Sequence, residues 1–461
     1  MMRLTRKSPA SEVGIVHLGP GAFFRAFGAV YTHEVADNDW GILAVSLRSA
    51  SVRDALEPQG CAYTSVSLGS DAREFRQIES ISACLVAPED PRAVLGAMSD
   101  PSVRIVSLTI TEKGYCHLGA SGLLDFEHPD IVHDLKDRAA PRSAIGYIVR
   151  SLEIRKEAGV PPFTVLSCDN LPDNGTLVRG LVLEFARSLS DDLADWISLE
   201  GRFPSTMVDR ITPAVTSSDV DQVAQDIGAR DEACVLHEPF RQWVIEDDFV
   251  GGARPGWDGA GAQFVRDVAP FELMKLRCLN GTHSAIAYLG YLSGYETVFK
   301  AMSNPVIADF VEHLWDEIRP TVPSPEGEDL RTYCGSLRAR YLNPSIEHKT
   351  WQIAMDGSQK LPQRLVGSLV DTLEAGRDGS GLILSIGAWM IYAGGTDLKG
   401  NPIDVRDPMA KRLKGASVDD MLSISEIFPV EFATGVVRDQ IKGAYDQLLK
   451  VGPIQAMKGV I

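Results

Sequence analysis

Short apolar runs separated by segments with helical spacing dominate the first half of the chain. The apolar runs lie at residues 14–18, 42–47, 103–110, 163–167 and 233–238. Helical spacing is found between several of them, at 142–157 and 175–189. Strands that alternate with helices are typical of a largely parallel, doubly wound sheet. The pattern therefore predicts an α/β fold for this part of the chain.

The pattern changes after residue 249. Residues 250–262 hold five glycines, which indicates a loop or hinge. From residue 268 onward helical periodicity predominates, with candidate helices at 268–292, 303–317, 360–375, 380–393 and 429–447. We predict a doubly wound α/β domain over residues 1–265, followed by a mainly α-helical domain over residues 266–461.

Composition and charge narrow the possible partners. A chain of 461 residues has room for two or three domains. Its net charge of -17 disfavours nucleic acids and anionic membranes, and its longest apolar run, 381–395, is shorter than the roughly 20 residues that span a bilayer. Seven cysteines without a CxxC pair indicate reduced thiols, and we expect a cytoplasmic protein.

A G-x-G turn directly follows the first apolar run, in the stretch HLGPGAFFR. Glycines at such a turn let the backbone approach a pyrophosphate, and the N–H groups of the next helix favour anions. Phe24 occupies the place of the third glycine, so the motif alone is weak. Its position at the start of the α/β pattern favours a Rossmann-type dinucleotide site over a plain structural turn. We assign this site to Gly19, Gly21, Ala22, Phe23 and Arg25, although Arg25 could equally be a solvated helix residue.

The second apolar run ends in Arg48 and Ser49 instead of the acidic residue that binds the ribose hydroxyls of NAD. An arginine at this place can bind the 2′-phosphate of NADP, stack on adenine or remain solvated. We expect NAD as the cofactor, with NADP left open, and include Arg48 among the cofactor-binding residues.

A polar face lies on the first helix predicted for the second domain. With about 100° per residue in an α-helix and Lys275 as zero, Glu272 falls near 60°, His283 near 80° and Asn280 near 140°. Such a face rarely packs against an apolar core, so it serves either solvent exposure or a reaction. A lysine that accepts a hydroxyl proton needs a pKa lowered by burial or a nearby cation, and Glu272 would oppose that shift.

Several ordered blocks resemble the long-chain mannitol dehydrogenase family, from about residue 13 to beyond residue 410. The resemblance implies metal-free hydride transfer between NAD(P) and a polyol or its ketose. Residue by residue, it implies that Lys275 is the catalytic acid/base and that Asn170 and Asn280 donate to the reacting oxygen. It also implies that Glu272 lies beside the catalytic lysine and that His283 and Asp209 contact the substrate. The blocks are HLGPGAFFRA, SLTITEKGY, SCDNLPDNG, VDRITP, EPFRQWVIED, KLRCLNGTHS and IDVRDP.

The chain departs from the family pattern at three positions. Phe24 and Phe27 stand where histidines are common in the first helix, and Leu398 stands where an acidic residue is common. The departure at Phe24 and Phe27 affects the edge of the cofactor site. Neither departure removes a residue to which the resemblance gives a chemical role.

The stretch 343–364 is expected to contact the far end of the substrate. Its histidine and cations, His348, Lys349, Lys360 and Arg364, suit a substrate carboxylate, and the stretch resembles the fructuronate reductase branch of the family. A helix surface with solvated lysines is the alternative. We expect fructuronate and NADH to give D-mannonate, with mannitol or arabinitol oxidation as the second hypothesis.

Other classes of function remain to be weighed. A dinucleotide-binding regulator that lost the reaction would not need a lysine combined with oxyanion donors. The nine histidines show no HxxxH or HxH spacing, so no metal site is expected. The expected partner is a small sugar acid or polyol, without nucleic acid or membrane. The oligomeric state, a monomer or a small homo-oligomer, is not fixed by the sequence.

Overall fold

The computed structural model describes residues 1–461, apart from the side chain of Ala120. The chain divides into two compact units, Met1–Ala269 and Pro270–Ile461. The sequence placed the division after residue 265, four residues before the observed one. The glycine-rich stretch 250–262 thus belongs to the first unit and does not contain the division.

The strands lie in the first unit and most are short. Four of the five strands of the main sheet are almost completely buried, as expected for parallel strands covered on both faces. For example, all six residues of the second strand, GILAVS, are buried. In chain order the strands are β1 (Val13–Leu18), β2 (Gly41–Ser46), β3 (Tyr63–Leu68), β4 (Arg73–Ile78), β5 (Ile81–Val86), β6 (Ile105–Leu108), β7 (Thr164–Ser167), β8 (Thr206–Asp209), β9 (Val235–His237), β10 (Gln242–Glu246) and β11 (Gln263–Val265).

The main sheet has the strand order β5-β2-β1-β6-β7 and is parallel throughout. Ile15 in β1 pairs with Ile42 on one side and with Ile105 on the other. The winding direction therefore reverses between β1 and β6, which confirms the predicted doubly wound Rossmann-type fold. In such sheets the ligand binds at the carboxyl ends of the strands beside this reversal.

Helices connect the strands of the first unit. The longest ones carry apolar residues at helical spacing and pack against the sheet. They are α1 (Ala22–Ala26), α2 (Gly28–Val35), α3 (Ser51–Leu56), α4 (Pro91–Ser99), α5 (Pro129–Lys136), α6 (Ala144–Glu157), α7 (Asn174–Leu189), α8 (Asp191–Glu200) and α9 (Ser217–Ile227).

Two small sheets complete the first unit, with the orders β4-β3-β9 and β11-β10-β8. The apolar run at 233–238 forms β9, which pairs with β3 and does not join the main sheet. The stretch 250–262 is also more ordered than a hinge. Trp257 in this stretch is buried, lies 4.6 Å from Trp243 between ring centroids, and donates from Nε1 to Thr32 Oγ1 at 3.1 Å.

The second unit is helical, and α18 is its most deeply buried helix. Every residue of α18 from Gly381 onward is buried, and the helix packs against α11 and α21. Among the described residues, no helix is long and apolar enough to cross a membrane. From Ala269 onward the helices are α10 (Ala269–Met274), α11 (Thr282–Leu292), α12 (Val298–Met302), α13 (Pro305–Ile318), α14 (Leu330–Tyr341), α15 (Thr350–Ile353), α16 (Gly357–Leu361), α17 (Gly367–Glu374), α18 (Ser380–Ala393), α19 (Ala410–Leu413), α20 (Val418–Leu422), α21 (Gly435–Val451) and α22 (Pro453–Lys458).

Candidate active site

The glycine turn lies at the carboxyl end of β1, beside the reversal of the sheet. Gly19 has a φ of +89°, and a Cβ on it would lie 2.3 Å from the carbonyl oxygen of Thr109. Both facts require glycine at this position. The Thr109 hydroxyl also donates to the Gly19 carbonyl at 2.7 Å, which ties the turn to the loop after β6.

His17 supports this turn and was not identified from the sequence. Its Nδ1 lies 2.8 Å from Ser107 Oγ, and its Nε2 lies 2.9 Å from Thr109 Oγ1. Burial lowers the pKa of His17 to about 3, so the ring is neutral at physiological pH. The histidine therefore acts as a buried connection between β1 and β6. His17 stands within the apolar run of β1, VGIVHL, and this pattern gave no signal of its role.

Phe24, which replaces the third glycine, packs within the protein. Its ring stacks on the His17 ring with centroids 3.3 Å apart. Gly28 makes room for it, since a Cβ there would lie 2.5 Å from the Phe24 ring. The close packing that a third glycine normally permits is thus achieved one helical turn later.

The other residues assigned to the cofactor site divide into two groups. Gly21 is exposed, while Ala22 and Phe23 are partly exposed at the start of α1. Arg25 is not a solvated helix residue, because its buried guanidinium donates to the carbonyls of Ala233 and Pro20. Burial lowers the pKa of this guanidinium. Arg25 therefore holds the turn from inside, and its phosphate contact stays a prediction.

Arg48 lies on the surface near a group of potential metal ligands. Its side chain is 70% exposed and pairs with Asp130 at 2.9 Å. Ligand atoms of Cys116, His128 and Asp130 lie within 4.8 Å of one another. However, His128 Nδ1 already accepts the Asp130 N–H, and Asp130 pairs with Arg48. These protein contacts account for the group, and the cofactor contact of Arg48 and the expected absence of a metal site stay predictions.

The remaining predicted residues of the first unit follow strands of different sheets. Asn170 comes three residues after the end of β7 and is exposed. Asp209 is the last residue of β8 and is buried. Arg210, which follows it, donates from Nε to the Glu238 carbonyl at 3.2 Å, and burial lowers its pKa to about 10. The VDRITP and EPFRQWVIED blocks thus contact each other.

The second unit presents Lys275 and Asn280 on a π-helical segment, Lys275–Gly281, which joins α10 and α11. The sequence predicted an α-helix here, in which these two residues are about 140° apart. A π-helix is hydrogen-bonded from i to i+5, so Asn280 lies about one turn after Lys275. The observed helix brings the two side chains closer to one face than the predicted α-helix does.

The π-helical segment is stabilised by side chains that bond its carbonyl groups. Trp315 Nε1 donates to the Cys278 carbonyl at 3.0 Å, and Tyr341 Oη donates to the Leu279 carbonyl at 3.1 Å. The Thr282 hydroxyl donates to the Cys278 carbonyl as well, at 2.6 Å. Side-chain insertion into the helical ladder is a recognised cause of such irregularity.

A second π-helical segment, Pro362–Val366, packs against the first. Pro362 lacks an N–H, so the regular ladder is interrupted where this segment begins. The two segments meet at Gly281, where a Cβ would lie 2.8 Å from the Arg364 carbonyl oxygen. Asn280-Gly281 therefore marks a close contact within a continuous helix and not a helix end.

Cationic and imidazole groups gather beside this contact. The ring centroids of His283 and His348 are 5.2 Å apart. Arg364 Nη1 donates to Ser284 Oγ at 3.3 Å. The charge of Lys360 lowers the pKa of His348, and the charge of Arg364 lowers the pKa of Lys360. We call His283, His348, Lys360 and Arg364 the cationic cluster.

The cationic cluster differs from the sequence prediction at its edges. Lys349 is exposed and interacts electrostatically with Glu296, so it lies outside the cluster. Arg340 at the end of α14 adds positive charge near His283 and was not predicted. It lies next to Tyr341, whose ring centroid is 4.7 Å from that of His283. No sequence motif links α14 to this place.

Burial controls ionisation in the cationic cluster. It lowers the pKa of His348 to about 4, and the charge of Lys360 adds to the effect. It also holds the pKa of His283 well below its usual value, with contributions from His348 and Arg340. The pKa values of Lys360 and Arg364 are lowered by burial too. The imidazoles are therefore neutral at physiological pH, and Lys360 and Arg364 are the basic groups of the cluster.

Comparison with known proteins identifies the family. The Mannitol dehydrogenase Rossmann domain matches residues 13–259, and the Mannitol dehydrogenase C-terminal domain matches residues 267–449. The chain belongs to the mannitol dehydrogenase family. It is thus an oxidoreductase of this family, and its two units correspond to the two family domains.

Individual relatives cover nearly the whole chain. D-mannonate oxidoreductase from Escherichia coli (strain K12) is 46% identical over 458 residues, which cover 96% of this chain and 94% of that protein. The structure of Pseudomonas fluorescens mannitol 2-dehydrogenase in a ternary complex with NAD and D-mannitol matches with a TM-score of 0.84 and 35% identity, covering 100% of this chain and 96% of that one. Substrate-free D-sorbitol dehydrogenase matches with a TM-score of 0.91 and 31% identity, covering 97% and 95%.

Proposed function

We propose that this mannitol dehydrogenase family member reduces fructuronate to D-mannonate with NADH. The observation that carries the proposal is the pair of cations in the cationic cluster. Lys360 donates to the Met355 carbonyl at 2.7 Å, and Arg364 contacts a serine hydroxyl. Within the part of the chain that the structure describes, neither is in an ion pair with a carboxylate.

Unpaired cations that are partly withdrawn from water are costly unless a partner anion compensates them. The nearby Asp407 carboxylate is engaged elsewhere, since it accepts the Ser358 N–H at 2.7 Å and the Ser358 hydroxyl at 2.6 Å. A substrate carboxylate would provide the missing charge, whereas an uncharged polyol would not. The 46% identical relative is named D-mannonate oxidoreductase, which agrees with a sugar acid substrate.

In our proposal the glycine turn binds the dinucleotide. A Cβ on Gly19 would clash with the Thr109 carbonyl oxygen, and the exposed Gly21 has no heavy atom nearer than 4.0 Å to a Cβ position. The Gly21 N–H donates to the Gly19 carbonyl at 2.7 Å, so a pyrophosphate would pass close to the Gly21 Cα and bond the N–H groups of Ala22 and Phe23. In our proposal these residues hold NAD(H), with Arg48 near its adenosine end. NAD(H), when bound, supplies or accepts the hydride.

The proposed roles of the side chains follow from the chemistry of a carbonyl reduction. As hydride reaches the carbonyl carbon, the Lys275 ammonium gives its proton to the oxygen, and the same amine accepts the hydroxyl proton in the reverse direction. The amide N–H groups of Asn170 and Asn280 donate to this oxygen while its charge develops. Glu272, one helical turn before Lys275, transfers the proton to and from solvent.

Substrate recognition is divided between hydroxyl and carboxylate contacts in this proposal. His283 is neutral, so it can donate to one hydroxyl oxygen or accept from a hydroxyl group. The buried Asp209 carboxylate accepts from another hydroxyl. Lys360 and Arg364 bind the substrate carboxylate, and His348 donates a further hydrogen bond. His348 Nδ1 is buried without a hydrogen-bond partner among the described residues, so it is available for this contact.

Oxidation of mannitol or a related polyol is the second candidate. Two structurally similar relatives are named for polyols, at TM-scores of 0.84 and 0.91. Lys360 and Arg364 would then bind hydroxyl groups, which compensate a buried cation less well than a carboxylate does. The two candidates therefore differ in the charge of the group that meets the cationic cluster.

Steady-state rates with a substrate panel test the proposal. Fructuronate, tagaturonate, fructose and xylulose are each assayed with NADH and with NADPH. We expect the largest kcat/KM with fructuronate and NADH. Lys275→Ala should abolish this turnover and leave NADH binding intact, because it removes the proton donor alone. Preference for fructose would favour the polyol candidate, NADH binding without any turnover would favour a regulator, and near-normal turnover of Lys275→Ala would remove that residue from the mechanism.

A further inference from the structure

Asn170 occupies a tight turn whose preceding residue is held on both sides. The Leu171 N–H donates to the Asp169 carbonyl at 2.9 Å, so Asn170 is the central residue of a three-residue turn. The Asn174 side chain also donates from Nδ2 to the Asp169 carbonyl, at 2.9 Å. The direction of the exposed Asn170 amide therefore depends on where Asp169 is fixed.

The Asp169 side chain connects this turn to the loop after β6. Its Oδ1 accepts the Thr111 N–H at 2.9 Å, and its Oδ2 accepts the Ile110 N–H at 2.9 Å and the Tyr115 hydroxyl at 2.8 Å. Tyr115 Oη also lies 2.6 Å from Ser167 Oγ, at the end of β7. One carboxylate thus joins the SLTITEKGY and SCDNLPDNG blocks of the sequence.

The loop that Asp169 holds has a strained backbone. Thr111 has a φ of +66° and a ψ of 161°, a region that is almost confined to glycine. Its N–H is one of the groups bonded to Asp169. Such a conformation persists only where surrounding contacts fix it, and strain of this kind clusters at functional sites. Burial raises the pKa of Asp169, whereas the hydrogen bonds it accepts favour the carboxylate.

We propose that Asp169 is a positioning residue, whose carboxylate fixes the turn that presents the Asn170 amide to the reacting oxygen. The inference rests on the proposed function, in which Asn170 is a donor to that oxygen. Asp169 itself does not act on the substrate. Removing its acceptor capacity should therefore lower turnover mainly by displacing the Asn170 amide.

The test uses Asp169→Asn in the full-length protein. An asparagine has a single acceptor oxygen, so its NH2 group would face an N–H donor in either orientation. We expect kcat for the best substrate of the panel to fall about tenfold or more, with KM changed less than about threefold, because the oxygen donor is displaced. Tyr115→Phe, which removes one donor and keeps the ring, should give a smaller loss of kcat and guards against misfolding of Asp169→Asn.

A double-mutant cycle separates positioning from a general structural role. In an Asn170→Ala background, Asp169→Asn or Tyr115→Phe should lower kcat by less than about twofold, since the group on which they act is gone. If each substitution lowers kcat by the same factor in both backgrounds, Asp169 does not act through Asn170. Absence of turnover in the wild-type protein would overturn the proposed function and this inference together.

Asp134 offers a matched control in the same unit. It is buried and accepts two N–H groups, from Arg142 at 2.7 Å and Ser143 at 2.9 Å, and one hydroxyl, from Ser143 at 2.7 Å. Asp134→Asn should destabilise the protein to a similar extent as Asp169→Asn and leave kcat within about twofold of wild type. An equal loss of kcat in both variants would contradict a specific role for Asp169.

Discussion

Gly281→Ala tests whether the close contact of the two π-helical segments defines the site. In the interior of an ordinary helix this substitution stabilises a protein by up to about 1 kcal/mol. At Gly281 the new Cβ would lie 2.8 Å from the Arg364 carbonyl oxygen, whereas ordinary contact begins at 3.4 Å. The segments must therefore separate by the difference, 3.4 − 2.8 = 0.6 Å.

This displacement has two expected consequences. Overpacking of a close contact costs about 1–3 kcal/mol, which offsets or exceeds the helix-propensity gain. Catalytic groups need placement to within about 0.5 Å, and an error of about 1 Å can cost about a hundredfold in rate. Because Asn280 precedes Gly281 directly, we expect Gly281→Ala to lower kcat about tenfold or more.

Urea unfolding and initial rates measure these two effects. Gly443→Ala is the control, because Gly443 lies in the interior of α21 and no heavy atom lies within 4 Å of its Cβ position. The control should gain up to about 1 kcal/mol and keep wild-type turnover. The free energies of unfolding of the two variants should thus differ by about 1–3 kcal/mol. Equal stabilities together with wild-type turnover in Gly281→Ala would refute the reasoning.

Two further predictions concern charge. Lys360→Ala should lower kcat/KM for fructuronate about tenfold to a hundredfold and that for fructose much less, because a charge-assisted hydrogen bond contributes about 1.5–3 kcal/mol. Lys349→Ala, outside the cationic cluster, should change neither value. Equal losses for both substrates in Lys360→Ala would count against a sugar acid substrate. Burial lowers the pKa of His237 from 6.5 to about 3. Below pH 6.5 the unfolded chain therefore binds a proton that the folded chain does not, and the free energy of unfolding falls as the pH drops toward 3. In urea unfolding between about pH 6 and about pH 4, His237→Gln should reduce the slope of unfolding free energy by up to about 1.4 kcal/mol per pH unit, and an unchanged slope would argue against a neutral buried His237.

Four strands of the main sheet could be predicted because they are buried on both faces. Runs such as residues 42–47 are apolar throughout, and their spacing with helices indicates a parallel sheet. β4 was missed because its residues REFRQI are mostly exposed, and β5 because serine and cysteine interrupt an edge strand. Strands that are half solvated carry a much weaker apolar signal.

The candidate site shows the same division between local pattern and tertiary contact. The residues of the KLRCLNGTHS block were assigned correctly to one helix, but its π-helical segment depends on Trp315 and Tyr341, which lie far along the chain. The burial of Arg25 was not predicted, because its polarity suggests solvent or phosphate, whereas main-chain carbonyls bind it in the interior. Distant donors and acceptors of this kind leave no periodic trace in the sequence.

The π-helical segment also makes residue number part of the site. Deleting one residue within Lys275–Gly281 would let the helix return toward i→i+4 bonding. A return to i→i+4 bonding would close the wide turn and withdraw the Cys278 and Leu279 carbonyls from Trp315 and Tyr341. The number of residues in the segment thus decides whether these contacts form. Substitutions within this segment that preserve its carbonyl contacts should be tolerated more readily than the loss or gain of a single residue.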